Sequence, residues 1–342
     1  MKGRFLALGF VAAGMALSVY GMTATAAEPT HSPSEPAKTD YVPPKTAWGD
    51  PDISGMWPVA HLQGTPFQRP DKYGNREWLN DEEFAEQDKR QKANAARYDQ
   101  EIKNNKIGMG HWAEIGEATR RTSLLVLPRD GHLPPMTELG KERSAKMRSS
   151  YQDITWDSPA DFDSWDRCVT RGMPASMFPF MYNNGIQVMQ APGYVVIRLE
   201  MVHEARVIPI GDMPAPPSQL LQWMGVSRGH WEGNTLVIET TNLQPGASML
   251  NVGTIGSRSR NNMPISDKMK IVEKLIPTGP NTIDYRITVT DPENYTGSWT
   301  ADLPWVRDSS YRMYEYACHE GNDMIRNYIT SSRAKRAQQA KK

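Results

Sequence analysis

The sequence of 342 residues has little cysteine, no surplus of either charge and no long apolar run beyond its N-terminus. Lysine and arginine number 39, aspartate and glutamate also 39, and the formal net charge is zero. Because phosphate recognition needs a basic surplus, this balance argues against a nucleic-acid partner. No later stretch reaches the roughly 20 apolar residues of a membrane helix, so we expect no membrane span in the mature protein.

Several signatures of chemistry are also missing. There is no Walker loop, no GxGxxG and no βαβ alternation, which disfavours a nucleotide-binding α/β fold. There is no HExxH and no CxxC pair, so we predict no metal site and no cofactor, although histidines on separate strands could still converge. There is no GxSxG turn to present a serine nucleophile. A pair of catalytic carboxylates of the glycosidase type is close only in space and leaves no sequence signature, so such a pair is not excluded.

Residues 1–27 predict a secretory signal peptide. Lys2 and Arg4 precede an apolar run from Phe5 to Val19, and small residues follow up to Ala26 and Ala27. A charged start, a short apolar run and a small-residue cleavage site are the marks of such a peptide. We therefore expect cleavage near Ala26 or Ala27 and a periplasmic or secreted protein. The alternative is an uncleaved N-terminal anchor.

Composition divides the rest of the chain into a body and two polar ends. Residues 28–47 are rich in Pro, Ser, Thr, Lys and Glu and poor in apolar residues, so we predict a disordered tether. Residues 331–342 form a basic, polar tail that we expect to be solvated or frayed. Between them, we predict a helical N-terminal segment, 48–150, packed on an antiparallel β domain, 151–330.

The body contains two predicted helices followed by predicted strands. Residues 80–104 begin with the capping-box spacing from Asn80 to Glu83, and a shorter helix is expected at 137–148. The predicted strands are 186–190, 194–210, 227–231, 235–242, 268–276, 282–290, 297–305 and 311–319. With 26 glycines and 26 prolines in the chain, we predict a mainly β fold, an antiparallel barrel or sandwich with an N-terminal helical extension.

Several sequence blocks cover nearly the whole body. They are WGDPDISGMW at 48–57, RTSLLV at 121–126, CVTRGMP at 168–174, EMVH at 200–203, SRGHWEGNTLVIETTN at 227–242 and YEYACHEGN at 314–322. Together they resemble a family of secreted bacterial proteins with no assigned activity, which implies export and one common architecture. The resemblance provides no catalytic residues. Gly-x-Trp, at 55–57, 110–112, 229–231 and 297–299, resembles lipocalin-like barrels.

A predicted hairpin around Gly233-Asn234 determines which polar residues of its two strands share a face. If these two residues form the turn, Arg228 pairs with Glu239, and His230 lies on the same face as both. On an exposed sheet this is an ordinary cross-strand ion pair. In the mouth of a barrel, the same pair would form a charged binding element.

His203 interrupts the apolar face of the predicted strand 194–210, which it shares with residues such as Ile197 and Val207. A histidine there either belongs to the core or provides a neutral imidazole that can act as a base near neutral pH. We predict a catalytic set of His203 as base, Arg228 as anion or oxyanion partner and Glu239 as the group that orients it.

Methionine and aromatic residues predict a ligand pocket. The chain has 19 Met, 10 Trp and 13 Tyr, many of them between Met173 and Met189. Such residues line adaptable pockets, although they also fill irregular cores. We predict that Met181, Tyr182, His230 and His319 contact a small hydrophobic or aromatic molecule. Core packing is the alternative.

The two cysteines, Cys168 and Cys318, lie far apart in the chain. Export into an oxidising compartment favours a disulfide between them, and closing so long a loop contributes about 4 kcal/mol. The alternative is a catalytic thiol. Against it, His319 would point away from Cys318 on a regular strand, so the base would have to come from elsewhere.

Two functions fit these patterns. The first is an exported enzyme that performs metal-free acid/base chemistry of lyase, isomerase or hydrolase type on a small hydrophobic or aromatic molecule. The second is a carrier with the same pocket and no turnover. The number of polar candidate residues exceeds what an apolar carrier needs, which favours the enzyme.

Overall fold

A computed structural model describes residues 34–148, 150, 155–245 and 263–341, so the predicted signal peptide lies outside the described residues. The described part is mainly β, with two antiparallel sheets and three α-helices. The described residues belong to one compact unit. Within the described ranges, no helix is both long and apolar enough to span a membrane.

Both predicted N-terminal helices are confirmed. Helix α1 spans Asp81–Lys103, and its capping box is complete because Asn80 and Glu83 each accept the other's backbone N–H through their side chains. Helix α2 spans Glu138–Lys146, and the hydroxyl of Thr137 accepts the N–H of Gly140 at its first turn. Local capping chemistry therefore sets where both helices begin.

The strands form two sheets. In chain order they are β1 Gly55–Met56, β2 Leu125–Leu127, β3 Ile186–Ala191, β4 Tyr194–Leu199, β5 Ala205–Pro209, β6 Val226–Glu232, β7 Thr235–Thr241, β8 Lys270–Gly279, β9 Thr282–Thr290 and β10 Trp299–Val306. One sheet has the order β1-β3-β4-β5 and the other β2-β10-β9-β8-β7-β6. Both are antiparallel throughout, as the short connections predict.

The prediction of one strand over 194–210 is wrong. The chain reverses between β4 and β5 through a single turn, Met201–His203, in which Val202 has a φ of 56°. His203 therefore lies in a turn and not on a strand face. The reversal also changes which residues face inwards, because Arg206 and Ile208 are buried in β5 whereas Val207 is 60% exposed.

The C-terminal region also differs from its prediction. Residues 311–319 contain no strand. This segment is held by side chains instead, since Glu200 accepts hydrogen bonds from the Tyr311 hydroxyl at 2.6 Å and from the Tyr314 N–H at 2.9 Å. Hydrogen bonds to the Glu200 carboxylate therefore hold this segment, in place of the strand that the sequence predicted for 311–319.

The basic tail, predicted to be solvated or frayed, is largely helical. Helix α3 spans Met324–Gln339 and covers most of residues 331–342. The Ser332 hydroxyl accepts the N–H of Trp156 at 3.0 Å, and the Tyr328 ring packs edge-on against Trp156. The tail is therefore attached to the loop that precedes β3.

Residues 34–47 of the predicted tether have no helix and no regular strand, yet they contact the body. The N–H of Ala37 donates to Oδ2 of Asp284 on β9 at 3.0 Å. This part of the segment is therefore fixed against the sheet by at least one buried carboxyl group.

The two sheets share one hydrophobic core, to which Ile197 of the first and Leu275 and Trp305 of the second contribute. The sheets also meet at their edges. Gly211 donates to the carbonyl of Gly229 at 2.9 Å, beside an isolated bridge between Ile210 and Gly229. At the opposite edge, the N–H of Asp308 donates to the carbonyl of Met56 at 3.1 Å.

Two buried carboxyl groups, Asp284 and Asp302, lie side by side under the N-terminal segment. Burial, and then the hydrogen bond with Asp302, raise the pKa of Asp284 to about 8. Burial alone would raise the pKa of Asp302, but the Arg121 guanidinium, 2.7 Å from its Oδ2, and the bond with Asp284 hold that pKa below its ordinary value. At neutral pH, Asp284 therefore holds a proton and Asp302 is ionised.

The raised pKa of Asp284 predicts a specific pH dependence of stability. Between pH 4 and pH 8 the folded protein binds a proton at this site that the unfolded chain has released, so the free energy of unfolding decreases as pH rises, by at most about 1.4 kcal/mol per pH unit. Asp284→Asn keeps a neutral polar side chain and removes this contribution. Urea unfolding at pH 5 and pH 8 should show that the variant gains stability relative to the wild type at the higher pH.

Asp212→Asn, at an exposed position, is the matched control and should leave the pH dependence unchanged. Identical pH profiles for the wild type and Asp284→Asn would contradict the assignment of the proton to Asp284.

Candidate functional site

A cleft of about 730 Å³ opens between β5 and β6, and we call it the β5–β6 cleft. The two strands run parallel and meet only at the bridge between Ile210 and Gly229, so a gap is left towards their N-terminal ends. Apolar side chains form much of its wall: Val207, Met213, Leu221, Trp223 and Met224.

The sequence explains why this gap is not closed by another strand. The connection 211–225 contains three prolines, at 214, 216 and 217, and proline cannot donate to a β ladder. The connection is held irregularly instead. The Asn242 amide donates to the carbonyl of Pro217 at 2.7 Å and to that of Leu220 at 3.1 Å. The wall of the cleft is thus anchored to the end of β7.

Backbone polar groups also face the β5–β6 cleft. Leu199 donates to Glu204 and Ile210 donates to Gly193, so alternate residues of β5 are bonded to β4. The backbone groups of the intervening residues, Ala205 and Val207, therefore point towards β6. No hydrogen bond pairs them with a described residue across the gap.

The floor of the cleft contains a buried ion pair. Arg206, 4% exposed, donates to both carboxylate oxygens of Glu273, which is 0% exposed. Arg206 also donates to the hydroxyls of Ser227 at 3.0 Å and Thr240 at 3.1 Å, while the Tyr285 hydroxyl donates to Glu273 at 2.8 Å. Burial alone would lower the pKa of Arg206, but the neighbouring carboxylate of Glu273 raises it, so Arg206 keeps its positive charge.

Arg228 lies at the rim of the cleft, and its predicted pairing with Glu239 is confirmed in register. The charged groups are 3.9 Å apart, whereas Lys270 reaches the same carboxylate at 2.6 Å and is the main reason that the pKa of Glu239 is lowered. The guanidinium also donates to the carbonyl of Met213. Its Nε–H is buried without a partner among the described residues.

The remaining predicted site residues do not gather around this cleft. His230 is exposed on the outer face of β6, with Nε2 3.4 Å from Glu232. His319 is exposed in the turn after Cys318. Met181 and Tyr182 pack in a separate cluster with Phe180 and its neighbours. His203 does not line the cleft either, although the next residue, Glu204, does.

The prediction of a disulfide is confirmed. The sulfur atoms of Cys168 and Cys318 are 2.05 Å apart, and they are the only cysteines of the chain. The pair leaves no free cysteine, so the alternative of a catalytic thiol is removed. It fastens the C-terminal segment to the loop before β3, near Asn322, whose amide lies 3.2 Å from the Cys168 sulfur.

Sequence reasoning missed Arg206 and Glu273. Treating 194–210 as one strand placed Arg206 on the outer face, whereas the turn at 201–203 puts it inside. The sequence of β8 contained a usable signal, because Glu273 lies on the same strand face as the apolar residues Ile271 and Leu275. A carboxylate on an apolar strand face requires a buried cation or donors, and this would have pointed to an inward-facing arginine.

A scan against protein-family models, a search of curated proteins and a search of solved structures each found no match to this chain. The resemblance to secreted bacterial proteins therefore stays a prediction. Over the described ranges, no three His, Cys, Asp or Glu side chains are grouped so that they could hold a metal ion.

Removal of one member of the buried ion pair should be strongly destabilising. Arg206→Ala leaves the charge of Glu273 in the core, so we expect the free energy of unfolding to fall by about 3–5 kcal/mol. The double variant Arg206→Met, Glu273→Leu removes both charges and should recover most of that loss. Urea unfolding measures both effects.

Arg198→Ala, at an exposed position on the neighbouring strand β4, is the control and should change stability by less than about 0.5 kcal/mol. A double variant as unstable as Arg206→Ala would mean that volume and hydrogen bonding, rather than the unpaired charge, cause the loss.

Proposed function

We propose that this protein is an exported binding protein for a small, largely apolar molecule that carries a hydrogen-bond acceptor, and that the ligand occupies the β5–β6 cleft. The observation that carries the proposal is the combination of an apolar wall with the partly exposed guanidinium of Arg228 at the rim. Ligand pockets in proteins typically measure 300–1,000 Å³ and combine apolar lining with a few fixed polar groups. The cleft, at about 730 Å³, falls in that range.

The composition of the cleft supports a flat, apolar ligand body. The rings and chains of Trp223, Met213 and Val207 are exposed here by 36%, 47% and 60%. Exposed apolar groups that are rimmed by polar ones commonly mark interaction sites, and methionine adapts its shape to the bound molecule. The ligand's polar group would accept from Arg228 or pair with the free backbone groups of β5.

We also propose that the two sheets close into a barrel around their shared core. The hydrogen bond from Gly211 to Gly229 at one edge and that from Asp308 to Met56 at the other support this arrangement. Because apolar side chains of both sheets fill the interior, the ligand would lie at the β5–β6 seam rather than inside the barrel, unlike in a lipocalin-like protein.

Export to the periplasm or beyond the cell belongs to the same proposal. It rests on the charged, apolar and small-residue pattern of residues 1–27 and on the paired cysteines, which persist in oxidising compartments.

The uncharged apolar fluorophore N-phenyl-1-naphthylamine tests the proposed binding site. Trp223→Ala removes an aromatic part of the wall, so we expect the dissociation constant of the probe to rise about tenfold in fluorescence titrations. Trp112→Ala is the matched control, because this tryptophan is 48% exposed and lies outside the cleft lining. Equal effects of the two substitutions would contradict specific binding in the cleft.

A second candidate function is acid/base catalysis in the same cleft, of lyase, isomerase or hydrolase type. The observation that favours it is the position of Glu204, which lines the cleft with Arg228 and directly follows His203. In this version His203 is the base, Arg228 stabilises developing negative charge, and Glu239 orients Arg228 from the paired strand.

His203→Gln separates a catalytic role from a structural one. A base should lose about 10²–10⁴-fold in turnover of the bound ligand while the melting temperature stays near that of the wild type. His230→Gln, at an exposed position outside the cleft lining, should change neither quantity. A His203 variant that loses about 1–3 kcal/mol of stability yet keeps full activity per folded molecule would place this residue in the scaffold.

A further inference from the structure

A second cavity, of about 470 Å³, lies beside the C-terminal end of α2, and we call it the Asp163 cavity. It shares no lining residue with the β5–β6 cleft. The lining residues that carry the following inference are Arg143, Lys146, Arg148, Phe162, Asp163 and Arg167.

Three of the four cationic side chains at this cavity have close acidic partners. Arg143 is 2.7 Å from Glu293, Lys146 is 2.5 Å from Glu142, and Arg148 is 2.6 Å from Asp161. These pairs satisfy their charges on the protein itself.

Arg167 differs from these cations. Its Nε donates to the backbone carbonyl of Asp163 at 3.2 Å. No described carboxylate forms an ion pair with it, and no described group accepts from its two terminal nitrogens. A half-buried guanidinium with free terminal N–H groups has the fork geometry that binds a carboxylate through two parallel hydrogen bonds.

The carboxyl group beside Arg167 is protected from water. Asp163 is 9% exposed, and its Oδ1 accepts the N–H of Asp166 at 2.7 Å. Burial, and then the negative charge of Asp166, raise the pKa of Asp163 to about 7, although Arg167 acts in the opposite direction. Below pH 7 the group is therefore mainly neutral and can donate a hydrogen bond.

The cavity also has an apolar, firmly packed part of its lining. Phe162 is 2% exposed and stacks on Trp156, with ring centroids 4.3 Å apart, while Ile265 is 3% exposed. An anion bound by Arg167 would therefore have space for a hydrophobic group against a fixed surface.

We propose that the Asp163 cavity binds a small organic monoanion with an apolar body, of the aromatic carboxylate class, through a fork of hydrogen bonds from Arg167. The neutral carboxyl group of Asp163 donates a further hydrogen bond to the same anion. This site is independent of the proposed ligand of the β5–β6 cleft.

Binding at this site depends on pH through Asp163. The charged groups that act on Asp163 are Asp166 and Arg167, and the other charged residues that line the cavity are Asp161, Arg143, Lys146 and Arg148. Asp161 is ionised across the relevant range, because the backbone N–H groups of Asp157 and Ser158 lower its pKa. As pH rises through about 7, Asp163 gains a negative charge that repels a bound carboxylate, so affinity decreases.

Titration calorimetry with benzoate as the probe tests this proposal on the mature protein. We expect benzoate to bind about tenfold more tightly at pH 6 than at pH 8, and acetate, which lacks the apolar body, to bind at least tenfold more weakly than benzoate at pH 6. Arg167→Gln should weaken benzoate binding at least tenfold at both pH values. Arg198→Gln, an exposed arginine on β4, is the control and should bind as the wild type does.

Asp163→Asn provides a second test, which remains informative if Arg167→Gln fails to fold. It keeps a neutral donor at the position, so benzoate affinity at pH 6 should be retained and the loss at pH 8 should disappear. Trp223→Ala, in the other cleft, should not alter benzoate binding. The proposal is overturned if the wild type binds no benzoate, if Arg198→Gln weakens binding as much as Arg167→Gln, or if Asp163→Asn keeps the full pH dependence.

Discussion

The ion pair between Arg206 and Glu273 connects the two sheets through the protein interior. Arg206 belongs to β5 of the four-stranded sheet and Glu273 to β8 of the six-stranded sheet. Arg206 also donates to the hydroxyls of Ser227 on β6 and Thr240 on β7. Because backbone pairing between β5 and β6 stops at one bridge, these side chains hold the strands together below it. The β5–β6 cleft exists because a charged network, rather than a continued ladder, closes this seam.

A polar seam carries an energetic cost that an apolar one would avoid. Taking both charges out of water costs several kcal/mol per ion, and only complete hydrogen bonding offsets it. Here both oxygens of Glu273 accept from Arg206 and one of them also accepts from Tyr285, whereas the Nε–H of Arg206 has no partner among the described residues. The network around Arg206 and Glu273 fixes the position of β5 relative to β6 and leaves the space between the two strands unfilled. A purely apolar floor would let Met224 and Leu221 collapse inwards.

Local patterns predicted much of the fold, whereas reversals of the chain and burial could not be predicted. The capping box fixed the start of α1, and the two-residue turn after Glu232 gave the register of Arg228 with Glu239. The break at 200–204 could not be predicted, because the alternation of apolar residues continues through it. Val202 also adopts a positive φ, which is unusual for a β-branched residue and has no sequence signal. The candidate sites depend on that break and on burial: Asp163 looks like any surface aspartate in the sequence, and only its surroundings set its protonation.

Although the chain has a formal net charge of zero, positive and negative side chains are not evenly paired at every site, and this matters for binding. Many cations of the described residues are paired with a neighbouring carboxylate, as Lys270 is with Glu239, and these pairs leave little charge for a ligand. Arg167 and Arg228 each line a concave surface and carry donors that no described group accepts, and the buried Nε–H of Arg206 is a third such donor at the β5–β6 cleft. Unused donors at half-buried positions cost the protein stability unless water or a ligand satisfies them. Their placement beside apolar walls, rather than on open surface, is therefore the feature on which both proposed binding sites depend.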